Sequence, residues 1–332
     1  MRSVRLVIPD LFLPQEFAAE VCAGLRLPAL EKMLSRGRNE TREAVTLECL
    51  LAGLFGLLDD DGIAGLGAAF DGLGEGHWLR ADPVHLQLQR DRLVLQEVGL
   101  TADEASEFCA SLNRHFSSEG LEFFAPHPQR WYVKLEAEPA IETVPLSQAV
   151  GRDVHGLLPT GAEATRWVQR FNEIQMLLFA HELNERRESR GESPVNSVWL
   201  WGSGVAAAPL PRYRGASSDD VLVEMFAAAA GVPFRGWSDQ WQEASGDGEQ
   251  LLVWSGLHRA LRHGDLSAWR EALQAFETGY AQPLWQALCS GRLSCLQLEA
   301  SGAKGYRRAV LGRAEVWAFW RRARPLAAYS MV

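Results

Sequence analysis

Apolar positions along the chain recur with two different periods. Val4 to Ile8 is continuously apolar and stops at Pro9-Asp10, which predicts a buried strand with a carboxylate at its C-terminal end. Leu30, Met33 and Leu34 recur at helical spacing and close on Arg36-Gly37, a glycine C-cap, and Leu47 to Leu58 continues as a core helix or tightly packed turn. From Trp78 the period becomes two. Val84 to Leu88 and Leu93 to Val98 alternate around Arg90-Asp91-Arg92, which predicts a hairpin. Thr101 with Glu104 forms a capping box for a helix to about His115, and Leu121 to Phe124 and Trp131 to Leu135 supply two more strands.

Thr160 and Glu163 give a second capping box ahead of Trp167, Phe171, Ile174 and Leu178, a helix that Gly191 and Pro194 end before a strand from Ser197 to Trp201. Asp219-Asp220 opens a helix that Gly231 closes, and Leu251 to Trp254 is a strand. His263-Gly264-Asp265 leads into a helix marked by Leu266, Trp269, Leu273, Phe276 and Tyr280. Cys295 to Leu298 and Val316 to Trp320 are the last strands expected. Strands alternating with helices imply an α/β core, and the strand, strand, helix, strand, strand series within 77–150 implies a smaller α+β domain inserted into it.

Composition narrows the class. At 332 residues and 47% hydrophobic, the chain can bury a large core and has length for two domains. A formal net charge of -9 argues against a surface built for nucleic acid or an anionic membrane, though not against a local basic patch. The five cysteines are scattered, with no C-x-x-C pair, so neither a disulfide framework nor a zinc ribbon is indicated. Without a signal-peptide pattern, or an apolar run near the ~18 residues of a membrane span, the expectation is a cytoplasmic protein.

Candidate chemistry is sparse. Ligands of open α/β sheets gather at the C-terminal ends of strands, which singles out Asp10 against the alternative of a turn residue. Asp59-Asp60-Asp61-Gly62 lacks the alternate-residue ligands of a calcium loop and reads as a solvated turn. His181-Glu182-Leu183-Asn184-Glu185 begins like the helical zinc-protease motif but has Glu185 where the second histidine belongs. What remains is a polar helical face of His181, Asn184, Arg187 and Glu188, either an anion site or a solvated helix end. Gly202-Ser203-Gly204 reads as a tight turn, since no helix follows it to aim amides at a phosphate. Trp317, Trp320, Arg321, Arg322 and Arg324 mix aromatic and basic residues that could stack a nucleotide or form an edge strand with a solvated basic tail.

Asn184, Arg187, Gly191, Pro194, Asn196, Trp199, Trp201, Gly202 and Gly204 together resemble the N-x-x-R-x-x-x-G-x-x-P-x-N-x-x-W-x-W-G-x-G signature of the archaeal-type cofactor-independent phosphoglycerate mutases, in the alkaline phosphatase superfamily. Pro28 to Glu31, Arg80 to Leu86, Gly151 to Pro159 and His263 to Asp265 resemble further segments of that family in order. Nearly the whole chain also resembles the bacterial regulatory proteins of RpfE type, through the N-E-I-Q-M run and the C-terminal W-x-F-W-R-R. The resemblance implies an alkaline-phosphatase-like α/β core of 1–76 plus 151–332, with 77–150 as the inserted α+β domain.

It also implies two divalent metals held by carboxylates and imidazoles around a Ser or Thr nucleophile. Only fragments of that apparatus are matched: Asp10 and His263 as metal ligands and Thr46, slightly out of register, as nucleophile. Arg259 stands where a ligand Asp belongs, and Leu298-Glu299-Ala300-Ser301 replaces an Asp-His pair. A two-dication site cannot lose most of its carboxylates, because they supply the compensating charge. The expectation is therefore a non-catalytic cytoplasmic regulatory protein without a cofactor. It would sense a small phosphorylated or carboxylated metabolite through Arg80, His181, Asn184, Arg187 and Asn196, or engage a protein partner. The alternative is an active manganese- or zinc-dependent phosphomutase or phosphatase using Asp10, His258, His263 and Glu299.

Overall fold

The computed structural model describes residues 2–43, 45–58, 62–244, 246–262, 264–302 and 305–330. Among them the strands are β1 (Arg2–Phe12), β2 (Arg38–Arg42), β3 (His77–Gln89), β4 (Arg92–Glu97), β5 (Glu122–His127), β6 (Arg130–Leu135), β7 (Ser197–Gly204), β8 (Gly215–Ser218), β9 (Phe234–Gly236), β10 (Gly248–Val253), β11 (Cys295–Gly302) and β12 (Gly305–Gly312). The chain divides into two compact units, 1–56 with 209–332, and 57–208.

The first unit is built on a seven-stranded sheet of order β2-β12-β11-β1-β10-β8-β9. The strands β11, β1, β10, β8 and β9 run parallel; β12 runs antiparallel to β11, and the edge strand β2 antiparallel to β12. The pleat sends Val4, Leu6 and Ile8 of β1 to one face. There they join Leu296 and Leu298 of β11 and the helices Pro28–Arg36, Gly256–Arg262 and Leu266–Phe276 in one buried cluster. Trp254, Phe276, Tyr280 and Trp237 lie nearly parallel in that cluster, with Trp237 and Tyr280 ring centroids 4.1 Å apart. The first turn of Pro28–Arg36 donates Ala29 and Leu30 N–H groups, at 2.8 and 3.1 Å, to the fully buried carboxylate of Glu277, which replaces a local cap.

The second unit holds a five-stranded antiparallel sheet in which β3 pairs β4, β6 and β7, and β6 pairs β5. The helix Ala102–Phe116 carries the expected Thr101–Glu104 capping box. Phe108, Leu112 and Phe116 from that helix bury against Trp131 and Val133 of β6 and Ile174 and Leu178 of the helix Ala164–Phe179.

Several expectations give way to the structure. The second compact unit spans 57–208, wider than the 77–150 expected for the inserted domain: β7 pairs β3, and the helices Ala164–Phe179 and Glu182–Ser189 share a buried cluster with Leu79 and Ala81 of β3. The single helix expected ahead of Gly191 breaks at Ala180-His181. Thr160 does not cap it: its hydroxyl faces Glu142 at 3.5 Å, while Glu163 accepts from Ala140 N–H. Gly37 is the C-cap as expected, at φ -57°, and glycine is needed there because a Cβ would sit 2.8 Å from Ala309 Cβ. The last strand is β12, not 316–320. Glu315 bonds back to Gly312 N–H at 2.9 Å and starts the short helix Arg313–Val316 there.

Candidate functional site

Strands β11, β1, β10 and β8 end on the same side of the first unit, where an open parallel sheet places its ligands. β1 breaks register between Ile8 and Phe12, and Asp10 there adopts φ 56°, a left-handed conformation that few non-glycine residues take. Its surroundings over-determine it. Asp10 N–H donates to Ser301 Oγ at 3.2 Å and Trp269 Nε1 donates to its carbonyl at 3.4 Å. His258 Nδ1, on the helix after β10, donates to its carboxylate. Among the described residues His258 Nε2 is buried without a hydrogen-bond partner.

Beside this pair, Asp219 and Asp220 follow β8. Asp219 accepts from Ser255 N–H at 2.7 Å, and Asp220 caps the helix Val221–Ala229 through Leu222 N–H at 2.9 Å. Burial, with the neighbouring Asp220 charge, raises the Asp219 carboxyl above its ordinary range against the pull of the Ser255 and Asp219 N–H groups and Arg259.

The remaining expected metal ligands do not join Asp10. His263 and the Asp59-Asp60-Asp61 run lie outside the described residues. Glu299 is 4% exposed; it accepts from Tyr306 and stands 3.6 Å from both Arg5 Nε and Arg308 Nε, so its charge is already countered. Thr46 is the N-cap of Leu47–Leu54, its hydroxyl accepting from Cys49 N–H at 3.0 Å. Among the described residues no three His, Cys, Asp or Glu side chains gather to hold an ion. A dication pair needs several anionic donors. The donor set that is described does not fit one.

The five residues expected to bind a metabolite are all in the second unit, and each is committed to an internal partner. Arg80 is buried, donates to Asp82 Oδ1 through Nε at 3.1 Å and Nη2 at 2.6 Å, and lies over the rings of Tyr132 and Trp201. Asn184 bridges Leu178 and Val195. Arg187 binds Glu104, Ser193 O and Gly99 O. Asn196 mimics a strand residue, accepting from Leu86 N–H at 2.7 Å and donating to Leu86 O at 2.9 Å.

His181 caps Glu182–Ser189 through Nδ1, which leaves Nε2–H to meet Ser111 Oγ at 2.8 Å. It does line an open cavity of about 1190 Å³ with Arg114, His115, Glu107 and Glu173. Burial lowers the His181 imidazole, so it is neutral in that setting. Of the expected set, His181 lines this cavity, and Arg80, Asn184 and Arg187 are buried.

The rest of the signature is architecture too. Trp201 Nε1 donates to Asp82 Oδ2 at 2.8 Å and Trp199 Nε1 to Val144 O at 2.7 Å. Gly204, at φ 138°, lets the backbone of Gly62 approach where a Cβ would meet it at 2.9 Å.

No known family model matches the chain. A solved structure, the PH0037 protein from Pyrococcus horikoshii, superposes at TM-score 0.58 with 13% identity, covering 98% of this chain and 91% of that one. A cofactor-independent phosphoglycerate mutase from Thermoplasma acidophilum superposes at 0.49 with 12% identity, over 99% and 94% of the two chains. The class is an α/β alkaline-phosphatase-like fold. In sequence, 2,3-bisphosphoglycerate-independent phosphoglycerate mutase 2 of Methanothermobacter thermautotrophicus is 31% identical over 138 residues, 39% of this chain and 34% of its own. A probable enzyme of the same kind from Geobacter sulfurreducens is 27% identical over 131 residues, 38% and 33%. The chain is related to the cofactor-independent phosphoglycerate mutases, and its match spans about a third of the length of those relatives.

Proposed function

We propose that this chain is a non-catalytic, cytoplasmic regulatory protein of RpfE type on a phosphoglycerate-mutase-like scaffold. The observation that carries the reading is the Asp10–His258 pair. The carboxylate best placed to receive a metal is taken by an imidazole, and among the described residues no three His, Cys, Asp or Glu side chains gather to hold an ion. Thr46 supports it, since its hydroxyl is spent on a helix cap. No helix of the described residues is long and apolar enough to cross a membrane.

The test is turnover of phosphoglycerate and a generic phosphate ester by the full chain loaded with manganese or zinc, alongside Thr46→Ala. The expected result is no turnover above the metal-only blank. Turnover that disappears in the variant would establish the active phosphomutase reading instead.

A further inference from the structure

Four arginines of the first unit meet around a cavity of about 590 Å³: Arg307 on β12, and Arg321, Arg322 and Arg324 on the segment after Arg313–Val316. That segment is not a loose basic tail. Arg321 Nη1 donates to Arg36 O at 2.8 Å, Arg324 N–H to Ser35 Oγ at 3.0 Å, and Leu326 N–H to Glu31 at 3.2 Å. Tyr329 is buried, shares a 2.6 Å hydrogen bond with Ser35 Oγ, and carries the Arg307 guanidinium over its ring at 5.1 Å.

Among the described residues none of the four arginines makes an ion pair, and no carboxylate lines the cavity, although the chain has 42 acidic residues for 33 basic ones. Among the described residues Arg307 Nε is buried with no hydrogen-bond partner. Burial and the nearby Arg324 together push its guanidinium below its ordinary value. Such a cluster repels itself, and an anion would relieve it. Guanidinium forks match phosphate oxygens in pairs. The same cavity is lined by Trp320, whose ring is 70% exposed and braced edge-on by Phe319 at 5.5 Å. A free aromatic face beside an arginine cluster suits a base beside its phosphates.

We infer that this cavity binds a nucleotide, its di- or triphosphate on Arg307, Arg322 and Arg324 and its base stacked on Trp320. The volume lies in the range of small-ligand sites, about 300–1,000 Å³. The net charge of -9 disfavours a long polyanion over a single nucleotide. The inference stands whether or not the Asp10 crevice is catalytic.

The test is calorimetric titration of the full chain with ADP, inorganic pyrophosphate and adenosine. ADP and pyrophosphate bind, ADP at least about fivefold tighter through stacking, and adenosine does not bind at millimolar concentration. Arg322→Gln with Arg324→Gln, both exposed and checked by melting to be folded, weakens ADP and pyrophosphate at least tenfold. Trp320→Ala removes only the advantage of ADP. The inference is overturned if neither phosphate compound binds at millimolar concentration, if the double variant binds them unchanged, or if Trp320→Ala leaves the ADP advantage intact. A single-stranded RNA held far more tightly than ADP would overturn it in favour of nucleic-acid binding.

Discussion

Arg187 Nη1 lies 2.8 Å from Glu104 Oε2, joining two side chains that are 3% and 10% exposed and 83 positions apart in the chain. The same carboxylate closes the capping box at Thr101, and the same guanidinium satisfies Ser193 O and Gly99 O. The pair ties the Glu182–Ser189 helix to the Ala102–Phe116 helix, so a residue that reads as an anion ligand is a structural tie.

Arg187→Ala leaves Glu104 with Arg190 as its remaining cation and should cost about 3–5 kcal/mol, the range for breaking a buried pair. Burial works to raise the Glu104 carboxyl, but Thr101 N–H, Arg187 and Arg190 outweigh it and hold it below its ordinary range. A lowered folded value means that the stabilisation is present above the unfolded value of about 4.3 and is lost as pH falls through the folded one. Urea melts at neutral pH and near pH 3 should show the cost of the variant shrinking in acid. An equal cost at both would contradict the pairing.

Trp201→Phe keeps the ring but removes the indole donor to Asp82 Oδ2. Asp82 keeps Arg80 and Trp131 N–H on its other oxygen. Leaving one buried acceptor unsatisfied costs about 1–3 kcal/mol. Denaturant titration followed by the other tryptophans measures it, and a change within a few tenths would contradict the assignment.

Thr46→Ala removes one helix cap and should lower stability by about 0.5–2 kcal/mol. The midpoint of chemical unfolding should fall while its slope with denaturant stays constant, since no other surface changes on unfolding. An unchanged midpoint would show that Thr46 does not cap Leu47–Leu54.

Asp219→Asn should stabilise the protein at neutral pH. The Asp219 carboxyl is raised by burial and by Asp220, so the folded state holds its proton more tightly than the unfolded one. Its contribution therefore falls as pH rises from the unfolded value of about 3.9 through the raised folded value. Asparagine keeps an acceptor for Ser255 N–H without the charge. Melting temperatures of the two proteins should coincide near pH 3 and separate, variant higher, by pH 7; a variant less stable at pH 7 would refute the argument.

The α/β class was legible because apolar runs such as Val4 to Ile8 carry their period openly, and the family relation because the spacing from Asn184 to Gly204 survives. What that spacing does was hidden. A polar residue amid apolar ones reads alike whether it awaits a ligand or a partner, and Arg80, Arg187 and Asn196 each find a partner inside the second unit. The Asp10–His258 pair spans 248 positions and leaves no local signal. β12 was missed because Arg307 and Arg308 interrupt its alternation, although Arg307 carries the cavity where the nucleotide is inferred.

The placement of β1 also sets an order of events during synthesis. Val7 pairs with Val253 on one side and Glu299 on the other, so the earliest of the described strands is the centre of a sheet in which a direct neighbour emerges 292 residues later. At roughly 5–20 residues per second that interval is about 15–60 s. Residues 57–208 close on themselves within it, whereas an apolar strand with both edges open must wait or be shielded. The yield of native protein in the cell is thus tied to how long Val4 to Ile8 can be kept from pairing elsewhere.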